Sequence, residues 1–437
     1  MESLAAGGDG VARMPDGRAL FVPFAAPGDL ARIEIVEERA RYARGVLVEL
    51  LEPGEARRTP LCPVFGDCGG CTWQHLEYSA QLDAKATIVR EALIRIAKLD
   101  ALPELALVPS PQPYRYRGRA RVLVDSGRVG FRRHRSNRIC EVSACPVLLE
   151  PAEEALAQLA RDCSGAADPS PQPPGRDEEQ PGVAPAGSSG EWELFVGEDG
   201  RTRSVALDAA REQEGASAPA LKLRVAGMCI QVSAGVFAQS NFLLHEALYR
   251  EVERAVVGGR ESTRAIEAEG FDRGEDTRLA FGGGEGLLLE LYAGAGFFTL
   301  GLSSHFARTL AVESHPRAVT DLERNLAEAG RSRVEVVEAA VEDHLAGAAR
   351  ARQADGGAAA PPEVVLLDPP RSGLAPGAAA DLLSLAAPRI VYLSCDPATL
   401  ARDLASLCGG GYGVVDLRVL DLFPQTSHVE TLVTLER

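Results

Sequence analysis

The feature that most constrains this chain is a series of short apolar runs in its second half, each ending abruptly in polar or glycine-rich residues. Gly286-Leu287-Leu288-Leu289-Glu290-Leu291-Tyr292-Ala293-Gly294-Ala295-Gly296-Phe297 reads as a buried strand entering a glycine loop, with a helix expected from Phe298 to Ser304. Leu310-Ala311-Val312-Glu313 ends in an acid, and Val364-Val365-Leu366-Leu367-Asp368-Pro369-Pro370-Arg371 in an acid and two prolines. Val391-Tyr392-Leu393-Ser394-Cys395-Asp396-Pro397 ends at a thiol. Strands alternating with helices, with functional residues at strand ends, imply an α/β fold with a doubly wound, Rossmann-like sheet. In such sheets ligands bind at the carboxyl ends of the strands.

Each strand end suggests a role. The glycines let a cofactor approach the backbone closely, and Glu313 stands where an acid accepts hydrogen bonds from ribose hydroxyls. Pro397 cannot continue a strand ladder and biases Asp396 away from helical geometry, so the chain turns there and leaves Cys395 at the rim. Alone, that heptapeptide reads most simply as a small buried thiol. Its neighbours have to decide.

The chain has 437 residues, enough for two or three domains. It has no apolar run of about 18 residues or more and no basic-then-apolar leader at its start, so no membrane partner and a cytoplasmic location are expected. A net charge of −16 speaks against a nucleic-acid partner unless the charge is segregated. It is segregated: residues 1–150 hold 21 Lys and Arg against 19 Asp and Glu, leaving −18 for the remainder.

Residues 1–52 alternate apolar runs with turn signals and suit a small oligonucleotide-binding type barrel. Strands are expected at 19–24, 30–36 and 45–51, which leaves room for a first strand ahead of Met1. Residues 53–235 are expected to form a β-rich central domain and residues 236–437 the sheet described above. The middle part opens on Cys62, Cys68 and Cys71, where Gly69 and Gly70 allow thiolates to converge. Three cysteines so close in a reducing compartment point to metal or cluster ligation rather than disulfides. The fourth ligand is Cys140 or Cys145, and Cys145-Pro146 echoes Cys62-Pro63. Spacing alone does not choose iron over zinc.

A helical pattern runs from Thr72 to Lys98, followed by nine arginines and one acid between residues 113 and 140. Arginines at alternate positions of a strand over Arg117–Asp125 share one face, where they are expected to contact phosphates and stack on bases. Residues 163–190 read as a disordered Pro/Ser/Gly spacer. Residues 258–284 and 347–362 read as loop extensions.

The cysteine set Cys62, Cys68, Cys71 and Cys145, the glycine loop, Asp368-Pro369-Pro370-Arg371, Ser394–Asp403 and Leu422-Phe423-Pro424-Gln425-Thr426-Ser427-His428-Val429-Glu430 together resemble the RNA 5-methyluridine (uracil-C5) methyltransferases. The resemblance, which spans nearly the whole chain outside the insertions, is to the type that acts on large-subunit ribosomal RNA. It implies S-adenosyl-L-methionine as methyl donor, an N-terminal TRAM barrel and a 4Fe-4S iron–sulfur cluster on the four cysteines. It implies Cys395 as nucleophile and Glu430 as the base that takes the C5 proton. Gln239, Tyr292, Gly294, Gly296, Phe297, Glu313 and Asp368 would then line the cofactor and uracil site. The implied partner is structured RNA, ribosomal in preference to transfer RNA, and the chain is expected to act as a monomer.

Two residues depart from the family pattern: Asp396 and Phe297 each stand where Asn is usual. A carboxylate beside the nucleophile would raise its pKa unless it points away. The chemistry independently asks for a thiolate to add at C6 and a carboxylate to remove the C5 proton, and a few per cent of a free thiol is ionised near neutrality. Two other readings stand beside this one. An inactive RNA-binding assembly factor would need neither Cys395 nor Glu430, and a zinc-dependent nucleic-acid enzyme would need zinc on the cysteines.

Overall fold

The computed structural model describes residues 1–164, 189–197, 199–207, 220–258 and 286–437. The expected spacer at 163–190 and insertion at 258–284 lie, apart from their end residues, outside the described residues.

Residues 1–52 form a five-stranded sheet from β1 (Ser3–Leu4), β2 (Gly10–Arg13), β3 (Ala19–Val22), β4 (Leu30–Glu38) and β5 (Tyr42–Glu52), in the order β1-β2-β3-β5-β4. The additional strands lie within the chain, at residues 3–13, where Gly7, Gly8 and Gly10 break any alternation a sequence reading could follow. The core is small, built on Leu20, Val22, Ala25 and Ala43. Asp29 closes the module by accepting hydrogen bonds from the Ala26 and Gly54 amides at 2.6 and 2.9 Å and from Arg57.

Helix α1 (Tyr78–Arg95) and strand β6 (Leu105–Val108) follow. Next, β7 (Arg119–Asp125), β8 (Arg128–Arg132), β9 (Ile139–Glu141), β10 (Gly190–Val196) and β11 (Thr202–Ala206) make an antiparallel sheet ordered β11-β10-β7-β8-β9. Helix α2 (Glu150–Ser164) packs on it through Ala152, Leu156 and Leu159. A hairpin, β12 (Ala220–Val225) and β13 (Met228–Ser233), turns at Ala226 and Gly227. Both have positive φ, 49° and 77°, as the twist of a two-residue hairpin requires.

Helix α3 (His245–Val257) leads into the large sheet. Its elements are β14 (Leu287–Leu291), α4 (Thr299–Leu302), β15 (Arg308–Glu313), α5 (Pro316–Glu328), β16 (Val334–Glu338), α6 (Val341–Ala354), β17 (Val364–Leu367), α7 (Ala378–Leu385), β18 (Arg389–Ser394), α8 (Pro397–Gly409), β19 (Gly413–Leu420) and β20 (Glu430–Glu436). The strand order is β16-β15-β14-β17-β18-β20-β19-β6, with β14 to β18 parallel and β20 antiparallel to both its neighbours. The strand order reverses about β14, so the crevice between the carboxyl ends of β14 and β17 is the ligand position of this architecture.

Three expectations change. The middle segment divides: β6 pairs in parallel with β19 of the large sheet, and the β12–β13 hairpin packs on α5. The expected extension at 347–362 is helical as far as Ala354, because Leu345 and Ala349, one turn apart, bury a common face. The helix after the glycine loop is one turn of α-helix continued as a 3₁₀ turn, Ser303–His305.

Candidate active site

Strand β18 carries the chain to Ser394 and stops at the Asp396-Pro397 start of α8. The Asp396 carboxylate caps that helix, accepting from the Ala398 and Thr399 amides at 2.9 Å each. It is therefore directed into the positive end of α8, and it is not among the charges that chiefly act on the thiol. The β18–β20 register pairs Ser394 with Thr431, so Cys395 and Glu430, one step further, meet at the same rim of the sheet. Asp368 and Arg371, just beyond β17, complete the group.

The electrostatics of this rim are dominated by burial. Burial first, then the charges of Glu430 and Asp368, push the Cys395 thiol up to about 11, while Arg371 opposes them. Glu430 is 2% exposed, and burial with the Asp368 charge holds its carboxyl well above the usual range. Burial likewise raises Asp368 to about 7. A site of this kind keeps its protons until a substrate or a cation rearranges them. The Arg371 guanidinium lies 3.3 and 3.4 Å from the two ring nitrogens of His428, whose pKa is pulled down to about 4 by burial and then by Arg371.

A cleft opens beside this rim. Of the residues expected around the cofactor, Gln239, Tyr292, Gly294, Phe297 and Asp368 line it. Gly294 has φ 57° and nothing within 4 Å of where a Cβ would stand, so its backbone is open to close approach. Gly296 and Glu313 are not among the residues that line it. A Cβ on Gly296 would come within 2.6 Å of Leu322 and 2.7 Å of Leu300, so this glycine serves packing. Glu313 shapes the loop, accepting from the Gly294 amide at 2.9 Å and from the Ser314 and His315 amides at 2.8 and 2.7 Å. Phe297 packs edge-on against Phe298 and His245, with ring centroids 5.0 and 5.5 Å away, and gives the cleft an apolar wall where Asn would give a polar one.

Several residues of the site escaped the sequence reading. The hairpin contributes Leu223, Ile230 and Val232 to the cleft. Asn325 ties that hairpin to the glycine loop, donating to the Gln231 and Ala295 carbonyls at 2.9 Å and accepting from the Gln231 amide at 2.9 Å. Asp321, one turn earlier, holds the Ser233 amide and hydroxyl at 2.7 Å. The available signal was two polar residues on the face of α5 that also buries Ala318 and Leu322. Glu290, inside β14, is fully enclosed and pushed up to about 8 by burial.

Cys62, Cys68, Cys71 and Cys145 line a single cavity of about 540 Å³. Cys140 turns elsewhere, its Sγ donating to Asp67 at 3.4 Å. Among the described residues no three Cys, His, Asp or Glu side chains gather closely enough to hold a single metal ion.

The arginine-rich segment corrects the expectation of a free phosphate-binding face. Among the described residues seven of its nine arginines pair with carboxylates: Arg115 with Glu153, Arg119 and Arg121 with Glu193, Arg128 with Asp125, Arg132 with Glu191, Arg133 with Asp67 and Arg135 with Asp9. Arg119 is buried, 2.7 Å from Glu193. Most of the partners lie far away in sequence, so a local count of charge could not show them.

Comparison with known proteins bears on this geometry. Residues 280–437 match the family described as tRNA (Uracil-5-)-methyltransferase, and residues 2–48 match the TRAM domain. A protein of Edwardsiella ictaluri named 23S rRNA (uracil(1939)-C(5))-methyltransferase RlmD is 32% identical, over 98% of this chain and 93% of its own length. A protein of Aquifex aeolicus named Uncharacterized RNA methyltransferase is 30% identical, over 100% of this chain and 97% of its own. The fold matches the crystal structure of Pyrococcus abyssi tRNA (uracil-54, C5)-methyltransferase in complex with S-adenosyl-L-homocysteine. The TM-score is 0.64 at 23% identity, covering 98% of this chain and 100% of that one. Among the described residues no helix is long and apolar enough to cross a membrane. The chain belongs to the RNA uracil-C5 methyltransferase family.

Proposed function

We propose that this protein methylates C5 of a uridine in structured ribosomal RNA, with Cys395 as nucleophile and Glu430 as base. The observation that carries the reading is the β18–β20 register, which delivers thiol and carboxyl to one rim beside the glycine-loop cleft. When bound in that cleft, S-adenosylmethionine supplies an electrophilic methyl group. Cys395, ionised by loss of its proton to solvent, adds through Sγ to uracil C6, and the displaced π electrons run into the C4 carbonyl as an enolate. C5 then takes the methyl group, the S–CH3 bonding pair staying on the sulfur that leaves as S-adenosylhomocysteine. Glu430 removes the C5 proton, and the electrons of that C–H bond re-form the C5–C6 double bond as Cys395 leaves as thiolate. Once ionised, a buried Glu430 of raised basicity suits the abstraction. C5 and C6 of a stacked uridine are hidden in a folded RNA, so the base is turned out to reach the rim. Ribosomal RNA is favoured over transfer RNA by the name of the Edwardsiella relative.

The cysteines belong to the same proposal. Four thiols around one largely apolar cavity fit a 4Fe-4S cluster. Anaerobic protein should be brown, with about four irons per chain; colourless protein with zinc would replace the cluster by a zinc site.

The decisive assay gives anaerobically purified protein labelled S-adenosylmethionine with unmodified ribosomal RNA and transfer RNA separately, followed by digestion to nucleosides. Label in 5-methyluridine from ribosomal RNA alone is expected; label from transfer RNA alone would reverse the substrate. Cys395→Ala should abolish transfer, and Glu430→Gln should trap a protein–RNA adduct stable to denaturation.

A further inference from the structure

The residues between β19 and β20, Asp421 to Val429, deliver Glu430 to the rim without regular secondary structure of their own. Their polar groups are satisfied largely by residues outside the β19–β20 connection. The Gln425 carbonyl accepts from the amides of Thr72 and Trp73 at 3.0 and 2.9 Å. The Gln425 side-chain carbonyl accepts from Gln81 Nε2 at 3.0 Å, and the Gln425 backbone amide donates to Gln81 Oε1 at 2.8 Å, a reciprocal buried pair. Thr72 Oγ1 accepts from the Ser427 amide at 3.0 Å, Lys85 Nζ donates to the Phe423 carbonyl at 3.0 Å, and the Tyr116 hydroxyl donates to the Pro424 carbonyl at 2.9 Å. Gln425 is buried at φ 67°, a left-handed conformation that a non-glycine residue keeps only when its surroundings impose it.

Thr72 directly follows Cys71, and Gln81 and Lys85 lie on one face of α1. We propose that Thr72 and Gln81 are positioning residues for the base, so that the cysteine-bearing segment governs the elimination step through the Gln425 loop. The inference rests on the proposed function and extends it to residues that touch neither RNA nor cofactor. Addition of Cys395 and methyl transfer do not require Glu430, whereas release of the product does. A loop that drifts therefore slows the last step alone. Misplacing a catalytic group by about 1 Å costs on the order of a hundredfold.

The test uses the full-length protein with ribosomal RNA and compares Thr72→Val, Thr72→Ser, Gln81→Leu and Glu430→Gln for kcat, KM and the fraction of denaturation-stable RNA adduct. Thr72→Val and Gln81→Leu should lower kcat about tenfold to a hundredfold, leave both KM values within about twofold, and accumulate adduct. Thr72→Ser, which keeps the acceptor, should restore turnover. If Gln81→Leu fails to fold, Thr72→Val removes a single acceptor and still reports. Wild-type kcat in Thr72→Val, or a loss of kcat with no adduct while Glu430→Gln shows one, overturns the inference. Absence of adduct in Glu430→Gln itself would instead overturn the assignment of the base.

Discussion

Lys85 and Asp421 form an ion pair with no exposed side-chain surface on either partner, Nζ lying 2.5 Å from Oδ1. Burial pulls the Lys85 pKa down, and the Asp421 charge holds it up. Lys85→Met keeps an unbranched chain of similar volume but leaves a carboxylate buried without its cation. Breaking such a pair from one side costs about 3–5 kcal/mol, whereas replacing both partners by apolar groups is often close to neutral. Lys85→Met should therefore lose about 3–5 kcal/mol in urea unfolding, and Lys85→Met combined with Asp421→Leu should lose less than either change alone. A loss under about 1 kcal/mol, or a double variant as unstable as the two singles summed, would refute the view that the interior charge is held by its partner.

Glu290 has a folded pKa of about 8 against an ordinary 4.5, so the native state binds the extra proton and stability falls as pH rises between those values. Glu290→Gln should match wild type near pH 4.5 and exceed it by up to roughly 3 kcal/mol above pH 8, allowing for relaxation; equal gains at both pH values in thermal melts would count against this. Because Cys395 sits at about 11, its alkylation by iodoacetamide, followed by peptide mass spectrometry, should accelerate about tenfold per pH unit from 7 to 10, and a plateau by pH 8 would show a far more acidic thiol. Asp396→Ala should destabilise the fold by about 1 kcal/mol through loss of the α8 cap, and Asp396→Asn should leave the Cys395 alkylation profile unmoved; a profile displaced by a full pH unit would mean that the carboxylate does act on the thiol.

The large sheet was legible because its central strands β14, β17 and β18 are buried on both faces and so appear as nearly unbroken apolar runs, ending beside Tyr292, Asp368 and Cys395. Cys395 and Glu430 could be named from local strings, but their meeting depends on β20 running antiparallel between β18 and β19, a pairing no local pattern encodes. The cysteine cavity was legible from spacing, and the structure separates Cys145 from Cys140 by which thiol faces it. The arginine face misled for the opposite reason. Arg119 looks free in sequence and is closed by Glu193, a residue 74 positions away. Asp321, Asn325, Thr72 and Gln81 act through backbone amides and carbonyls of distant loops, and such partners leave no mark on the side-chain pattern of either segment.

The pairing of β6 with β19 joins Leu105 to Leu417 at the end of the large sheet. During synthesis β6 emerges early and has no partner until nearly the whole chain has been made. Contacts that close so long a loop form slowly and late. A fragment that begins after residue 108 would keep every strand-end residue of the catalytic rim and still present β19 as a bare edge, open to pairing with another chain. The four residues of β6 cover the Leu417–Leu420 half of β19 and leave a shorter strand at the sheet's edge, so a fragment cut to the catalytic half should aggregate for want of them.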